Sequence, residues 1–456
     1  MRPHRAGARH GTRSARHCGT GADVNPLPTT LLPDTAEVLA DDALAIGGCR
    51  VDDLAAEFGT PLFIYDEAHL RARCREAVAA FGHGRAYYAT KAFLCTAMAR
   101  LAHEEGMGLD VASGGEMFVA LRAGVPAASL ALHGNNKSLE ELRTAIEVGV
   151  GHIVVDSFDE IDRLESLARE AAAHGGPVGV QPRVLVRVTP GVHAHTHEFV
   201  STGQDDSKFG FNLTNGDAQR AVDRLRRSTA VSLVGLHCHI GSNVYSTQNF
   251  ARAVETMARF AVPLDLPELV LGGGLGVAYT AGDEAPTITQ WADVLLDACR
   301  ALGVRSAVSV EPGRSIVASA ALTVYTVGTI KDIAGVRRYL SVDGGMSDNP
   351  RPVLYGSGYE AFLPRSVSAD RPMRARVVGK HCESGDVLVV DAALPADTAV
   401  GDLLATPVTG AYGHSMASNY NKLPRPPVVF VADGRARLVV RRETFDDLVR
   451  CDVDNS

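Results

Sequence analysis

The chain has 456 residues, 46% of them hydrophobic and 21% charged, a balance that excludes global disorder and leaves room for one large domain plus a smaller one. A formal charge of −8 argues against broad binding to nucleic acid or anionic membranes, and no apolar run reaches the roughly 18 residues of a transmembrane helix. Eight cysteines without a C-x-x-C pair exclude a disulfide scaffold and suit a reducing, cytoplasmic setting.

In chain order, five arginines and three histidines precede the first acid, Asp23. The composition is that of a transit peptide, without the apolar stretch of a secretory signal; residues 1–28 are expected to be a disordered Arg-rich extension. Residues 29–56 are expected to join a C-terminal β domain through a strand near Ala43–Val51. A short strand, Leu62–Tyr65, precedes apolar residues at helical spacing from Asp66 to Phe81.

Eight βα units follow. Their strands are predicted at Ala86–Thr90, Gly108–Ala112, Ser129–His133, His152–Asp156, Arg183–Thr189, Leu233–His239, Glu268–Gly272 and Ala307–Glu311. Continuous apolar strands in strict alternation with helices point to a closed (β/α)8 barrel of the TIM type over residues 57–316; a doubly wound sheet is the alternative. The connection Pro190–Asn215 is long for such a unit. After Ser315 helix gives way to strands at Leu322–Ile330, Arg338–Asp343, Arg374–Gly379, Val387–Asp391, Pro427–Ala432 and Arg435–Arg441, a mostly β domain over 317–456.

Barrel enzymes carry their chemistry at the C-terminal ends of the strands. There this sequence has Lys91; Asp110, Ser113 and Glu116; His133 and Asn135; His237, His239 and Ser242; Gly272, Gly273 and Gly274; and Glu311 and Arg314. Lys91 lies between apolar stretches, where a partly desolvated lysine has a lowered pKa and forms Schiff bases; the plainer reading is a solvated surface charge. The glycine run is either a turn or a phosphate cradle, since Val277 breaks the dinucleotide fingerprint. His237 and His239 share one strand face, but no third ligand of matched spacing accompanies them. His193, His195 and His197 alternate only within the long loop, and no metal is expected. Glu311 either pairs with Arg314 or holds a pyridinium nitrogen. A Schiff-base lysine, a phosphate cradle and an acid for a ring nitrogen together describe a site for pyridoxal 5′-phosphate.

The motifs YYATKAFLC (Tyr87–Cys95), LDVASGGE (Leu109–Glu116), HGNNKS (His133–Ser138), KFGF (Lys208–Phe211), HCHIGS (His237–Ser242), GGGLG (Gly272–Gly276), EPGRS (Glu311–Ser315), GKHCESGD (Gly379–Asp386) and TGAY (Thr409–Tyr412) run in one order along the chain. In this order they resemble the barrel-fold (fold-type III) pyridoxal-phosphate decarboxylases, and HGNNKS and CESGD resemble the diaminopimelate branch. The resemblance implies that Lys91 forms the Schiff base and that His239 stacks on the cofactor. Ser242, Gly273, Gly274, Pro312, Gly313 and Arg314 would hold the cofactor, mainly at its phosphate, with Glu311 at its ring nitrogen. It further implies that Arg314, Arg351 and Tyr355 bind substrate, that Tyr412 touches cofactor and substrate, and that Glu383 contacts the substrate's far ammonium. Cys382 would donate a proton from the partner subunit, so the implied unit is a homodimer with shared active sites. The implied reaction converts meso-2,6-diaminopimelate to L-lysine and CO2, the last step of lysine biosynthesis. An ornithine or arginine decarboxylase is the neighbouring reading. A non-catalytic homologue would typically lose the lysine or the thiol, and a pyridoxal-phosphate carrier barrel would lack the β domain.

Overall fold

Short strands buried on both faces and amphipathic helices alternate from residue 86 onward, and this pattern closes on itself. The computed structural model describes residues 27–173, 181–191, 206–239 and 241–453. Eight parallel strands run Tyr87–Ala89, Gly108–Val111, Leu130–Leu132, His152–Val155, Arg183–Thr189, Ser232–Cys238, Glu268–Val270 and Ala307–Ser309, each paired to the next. A parallel bridge between Ala86 and Val310 joins the last strand to the first, and the Tyr87 N–H donates to the Val310 carbonyl at 2.8 Å. The expected barrel is therefore formed, with strands mostly shorter than the apolar runs suggested. A bulge between Leu233 and Gly235 brings that strand against its neighbour; a Cβ on Gly235 would stand 2.2 Å from the Glu268 carbonyl oxygen.

The barrel helices start where the sequence supplies caps. Ser113 accepts from the Glu116 N–H, and capping boxes pair Ser138 with Glu141 and Thr287 with Gln290. The helix Glu67–Phe81, which precedes the first strand, packs on Ile288–Ala301 and completes the ring. Trp291 is fully buried there between Phe81 and Phe250, at ring separations of 5.4 and 5.6 Å. No helix among the described residues is long and apolar enough to cross a membrane.

The second sheet has the order Val387–Leu394, Met373–Val378, Arg337–Val342, Ala321–Ile333, Leu62–Asp66, Val428–Ala432, Arg435–Val440, with Leu403–Pro407 also pairing Ala321–Ile333. The β domain thus takes up an N-terminal strand, but that strand is Leu62–Asp66 and not the segment Ala43–Val51. The latter forms a separate three-stranded sheet with Glu37–Val38, docked on the β domain through Leu44 N–H to Pro364 O and Gly434 N–H to Gly47 O, both 2.7 Å. All five residues of Leu62–Asp66 are buried, as a central strand demands; in the small sheet the middle strand Leu44–Ile46 is buried and the edge strand Cys49–Arg50 only partly so. The barrel unit accordingly begins after Asp66 and not at residue 57. The strand Leu403–Pro407, short and ending in proline, had no sequence signal. The long connection after Thr189 holds a short strand, Phe211–Asn212, paired to Val188–Thr189. Residues 192–205, with His193, His195 and His197, and the first 26 residues of the Arg-rich extension lie outside the described residues.

One buried ion pair fixes a loop at the barrel mouth. The Lys137 ammonium donates to Glu160 Oε1 (2.7 Å), to Val154 O (2.6 Å) and to Gly134 O (2.8 Å), and both side chains are almost fully buried. Glu160→Gln leaves the ammonium without its counter-charge, which should cost about 3–5 kcal/mol. Chemical denaturation of parent and variant checks this; a loss below about 1 kcal/mol, the worth of an exposed pair, would show that the pair is not behaving as a buried one.

Candidate active site

Lys91 stands two residues beyond the end of the first barrel strand at Ala89, in the tight turn Thr90–Ala92. Both domains hold that turn. Thr90 Oγ1 donates to the Asp110 carbonyl at 2.8 Å, while the Ala92 carbonyl accepts from the Tyr412 N–H (2.8 Å) and from Ser415 Oγ (3.0 Å) of the β domain. The side chain projects into a cavity of about 530 Å³ between the barrel mouth and the β domain. The cavity wall encloses the ammonium, and burial disfavours its charge. Tyr412, Asp110 and Glu311 outweigh that effect and raise its pKa. The lowered pKa expected for Lys91 is therefore corrected: two carboxylates face it, and before any ligand binds it is an ammonium.

At one end of the cavity lies Glu311, just past the eighth strand. Its Oε1 is 3.1 Å from His133 Nε2 and its Oε2 is 3.1 Å from His237 Nε2. Asp110 Oδ1 stands 3.4 Å from the same nitrogen of His133. Burial would lift the Glu311 carboxyl, but the two histidines override it and hold its pKa well below the usual range. Burial also acts on His133, and there Asp110 and Glu311 win and raise its pKa. Burial wins at His237, pushing it to about 4, and at Asp110, raised to about 6. The strand alternation that placed His237 and His239 on one face holds, since both line the cavity. The third partner missing from the sequence spacing comes from other strands, as Glu311 and His133. Of the two readings of Glu311, the plain ion pair with Arg314 does not form; Glu311 faces His133 and His237 instead.

His239 Nδ1 accepts from the Gly273 N–H at 3.2 Å. Burial, with Lys91 and Arg187 nearby, pushes its pKa well down, so its ring is neutral. Gly274 has φ +104°, and a Cβ there would stand 2.1 Å from the Gly241 carbonyl oxygen. Arg314 donates to Ser242 Oγ at 2.9 Å and to the Tyr279 hydroxyl. Its Cζ lies 4.9 Å from the Tyr412 ring centre. Arg351 lies 4.3 Å above the Tyr279 ring and donates to the Tyr359 hydroxyl at 2.7 Å. Tyr355 and Gly313 complete this side of the wall. Gly273 sits behind it. Pro312 lies in the barrel seam, its carbonyl accepting from the Ala89 N–H at 3.1 Å. Cys382 and Glu383 are exposed and stand outside the cavity of their own chain; the Cys382 N–H donates to Asn421 Oδ1 at 3.0 Å.

Three lining or supporting residues escaped the sequence reading. Arg187 sits among the buried residues Val184–Thr189 of its strand, and a charge between apolar neighbours was the available signal; its guanidinium lies 4.3 Å over Phe209 of the KFGF motif. Tyr279 and Tyr359, which hold the two arginines, lie outside regular elements and carried no signal.

The pyridoxal-binding domain of the pyridoxal-dependent decarboxylases matches residues 67–318 of the chain. With the barrel and its lysine-bearing mouth, that match makes the chain a pyridoxal-dependent decarboxylase. Diaminopimelate decarboxylase of Mycobacterium tuberculosis is 48% identical over 430 residues, 90% of this chain and 95% of its own. That of Bacillus subtilis is 46% identical over 425 residues, again 90% and 95%. The crystal structure of diaminopimelate decarboxylase from M. jannaschii with L-lysine superimposes with a TM-score of 0.84 at 32% identity, covering 92% of this chain and 98% of its own. The chain belongs to the diaminopimelate decarboxylase family, whose cofactor is pyridoxal phosphate.

The cavity fits that cofactor. It offers an amine at Lys91, an ionised carboxylate at Glu311, and a buried Arg314 whose Nε has no hydrogen-bond partner within the protein. Gly274→Ala would force the two backbones at Gly274 and Gly241 apart at a left-handed residue. It should weaken retention of pyridoxal phosphate about tenfold or more without unfolding the barrel. Equilibrium dialysis with circular dichroism as the fold control checks this, and parental affinity would exclude the glycine run from the cofactor's surroundings.

Proposed function

We propose that this protein decarboxylates meso-2,6-diaminopimelate to L-lysine and CO2, the last step of lysine biosynthesis, as a cytoplasmic homodimer with shared active sites. The observation that carries the reading is one cavity holding Lys91 and Glu311 together with two arginines, Arg314 and Arg351. Pyridoxal phosphate, when bound, supplies a carbonyl carbon for the substrate amine and a conjugated ring that takes up the electron pair left as CO2 departs.

The chain's own residues do the rest. Lys91 would anchor the cofactor through its amine, and His239 would support its ring. Ser242, Gly273, Gly274, Gly313 and Arg314 hold the phosphate end, with Pro312 setting the turn that carries Gly313. Glu311 holds a proton at the ring nitrogen. Cys382 of the partner subunit returns a proton to the α-carbon after the carboxylate has left, and its thiol recovers that proton from solvent. Its place outside its own chain's cavity supports this division between subunits.

Substrate choice follows from charge. The far end of meso-diaminopimelate carries a carboxylate and an ammonium. Arg351 and Arg314 suit the carboxylate through forked hydrogen bonds, with Tyr355 and Tyr412 beside it, and Glu383 of the partner subunit suits the ammonium. Ornithine and arginine lack that carboxylate and would leave the two arginines repelling a cationic tail.

The test is kcat/KM for meso-diaminopimelate, lysine and ornithine on the parent and on Arg351→Ala. The variant should lose about 1.5–3 kcal/mol of transition-state binding for meso-diaminopimelate alone. An equal loss on all three substrates would assign Arg351 to the fold or the cofactor. For the shared site, Lys91→Ala and Cys382→Ala should each be inactive alone. Mixed under conditions of verified subunit exchange, they should recover activity through hybrid dimers with one intact site. No recovery would place Lys91 and Cys382 in the same chain's site.

A further inference from the structure

Four barrel strands deliver one continuous chain of side chains to the end of the cavity: Asp110, His133, Glu311 and His237. Successive contacts are 3.4, 3.1 and 3.1 Å, and all four side chains are buried. The two imidazoles meet edge to face with ring centres 5.0 Å apart, so neither can turn without moving the other. We propose that His133 and His237, backed by Asp110, are positioning residues that hold Glu311 as an ionised carboxylate in one orientation, and thereby keep the proton on the ring nitrogen of bound pyridoxal phosphate. This rests on the proposed pairing of Glu311 with that nitrogen.

A buried carboxyl with no donors takes up a proton itself. Opposite a pyridine nitrogen, a neutral carboxyl would leave the nitrogen bare and the ring a weaker electron acceptor. A carboxylate has about four lone-pair positions. Here Oε2 is bonded to His237 Nε2, and Oε1 has His133 Nε2 beside it at 3.1 Å as a close charge contact, so the two imidazoles flank the group and leave lone pairs for the cofactor.

The two histidines differ in role. Asp110 and Glu311 both stand beside Nε2 of His133 and raise its pKa, and Asp110 supplies a counter-charge to its protonated form. His237 is neutral and contributes a donor without a charge, as its Nε2–H tautomer; its Nδ1 is buried without a partner, which suits the nitrogen that carries no proton. The directions of the pKa shifts at Glu311, His133 and His237 agree with this division. Among the described residues, other charged or titratable groups near the cluster include Lys91, Glu116, Arg187, His239, Cys238 and Tyr87.

The test uses holoenzyme reconstituted with pyridoxal phosphate labelled with 15N in its ring, whose chemical shift reports protonation of that nitrogen directly. In the parent the nitrogen should stay protonated through neutrality and lose its proton only near the alkaline end of the stable pH range, where its midpoint is read. Glu311→Gln should lose the proton near neutrality; if it does not, the pairing of Glu311 with the ring fails, whatever the histidines do. His237→Leu should lower the pH midpoint for loss of the ring proton by about one unit, a tenfold change, while His237→Gln, which keeps an N–H donor at the Nε2 position, should restore the parental midpoint. A double variant, His133→Leu with Asp110→Asn, removes the other donor together with its counter-charge and should shift the midpoint in the same direction; it also serves if His237→Leu does not fold. Parental midpoints in the leucine variants, with Glu311→Gln behaving as expected, would overturn the positioning role alone. The three ligand-type atoms of His133, His237 and Glu311 lie within 4.8 Å of one another. A change in the parent's 15N signal after dialysis against a chelator would make the cluster an ion site and would also overturn the proposal.

Discussion

The placement of Leu62–Asp66 governs the rest of the molecule. This strand lies between Ala321–Ile333, to which it is antiparallel, and Val428–Ala432, to which it is parallel. The chain leaves the sheet at Asp66, traverses the whole barrel, and returns at Ala320–Ala321 beside the point of departure; Ala321 pairs Tyr65, and the Asp66 N–H donates to the Ala320 carbonyl at 2.8 Å. A barrel whose entry and exit are hydrogen-bonded side by side has little freedom to swing against its β domain. That rigidity lets the segment around Tyr412 and the helix Arg351–Tyr355 close the mouth of a barrel to which they do not belong.

Within the cavity, charge is sorted by position. Asp110, Glu311, His133 and His237 cluster together, Arg314 and Arg351 share Tyr279, and a third guanidinium, Arg187, lines the cavity near the cluster with Lys91. Arg314 and Arg351 would repel each other across a medium of low dielectric constant. Tyr279 relieves this by presenting its hydroxyl to one and its ring face to the other, while Tyr359 takes a hydrogen bond from Arg351. The arginines are thereby set in place before any anion arrives, and a ligand need not supply the energy of ordering them.

The barrel was legible because its strands are unbroken apolar runs at even spacing, a pattern that needs no long-range information. The line of polar residues at the strand ends was legible for the same reason, since position along a strand fixes which end of the barrel a residue occupies. What escaped depended on contacts between distant segments. Leu62–Asp66 has the composition of a barrel strand as much as of a sheet centre, and only its partners some hundreds of residues away decide between them. The sign of the Lys91 shift was misjudged because burial was visible in the flanking sequence, whereas Asp110 and Glu311 approach from other strands. Tyr279 and Tyr359 matter through single hydroxyl contacts made from irregular backbone, which leaves no periodic trace.

Tyr65 and its hydrogen-bond partner, the Gly410 carbonyl, are 345 positions apart in the chain. On a ribosome adding on the order of 10 residues each second, roughly half a minute separates the emergence of the central strand from that of the segment that covers it. The barrel, whose contacts are mostly between successive units, is complete within that interval and can form first. Leu62–Asp66 waits, apolar and with both edges open, until Ala321–Val324 emerges to pair one edge, and its other edge stays open until Val428–Val431 arrives near the end of the chain. The nascent protein therefore carries an apolar strand with open edges ahead of its partners, and the order of synthesis sets how long that strand stays uncovered.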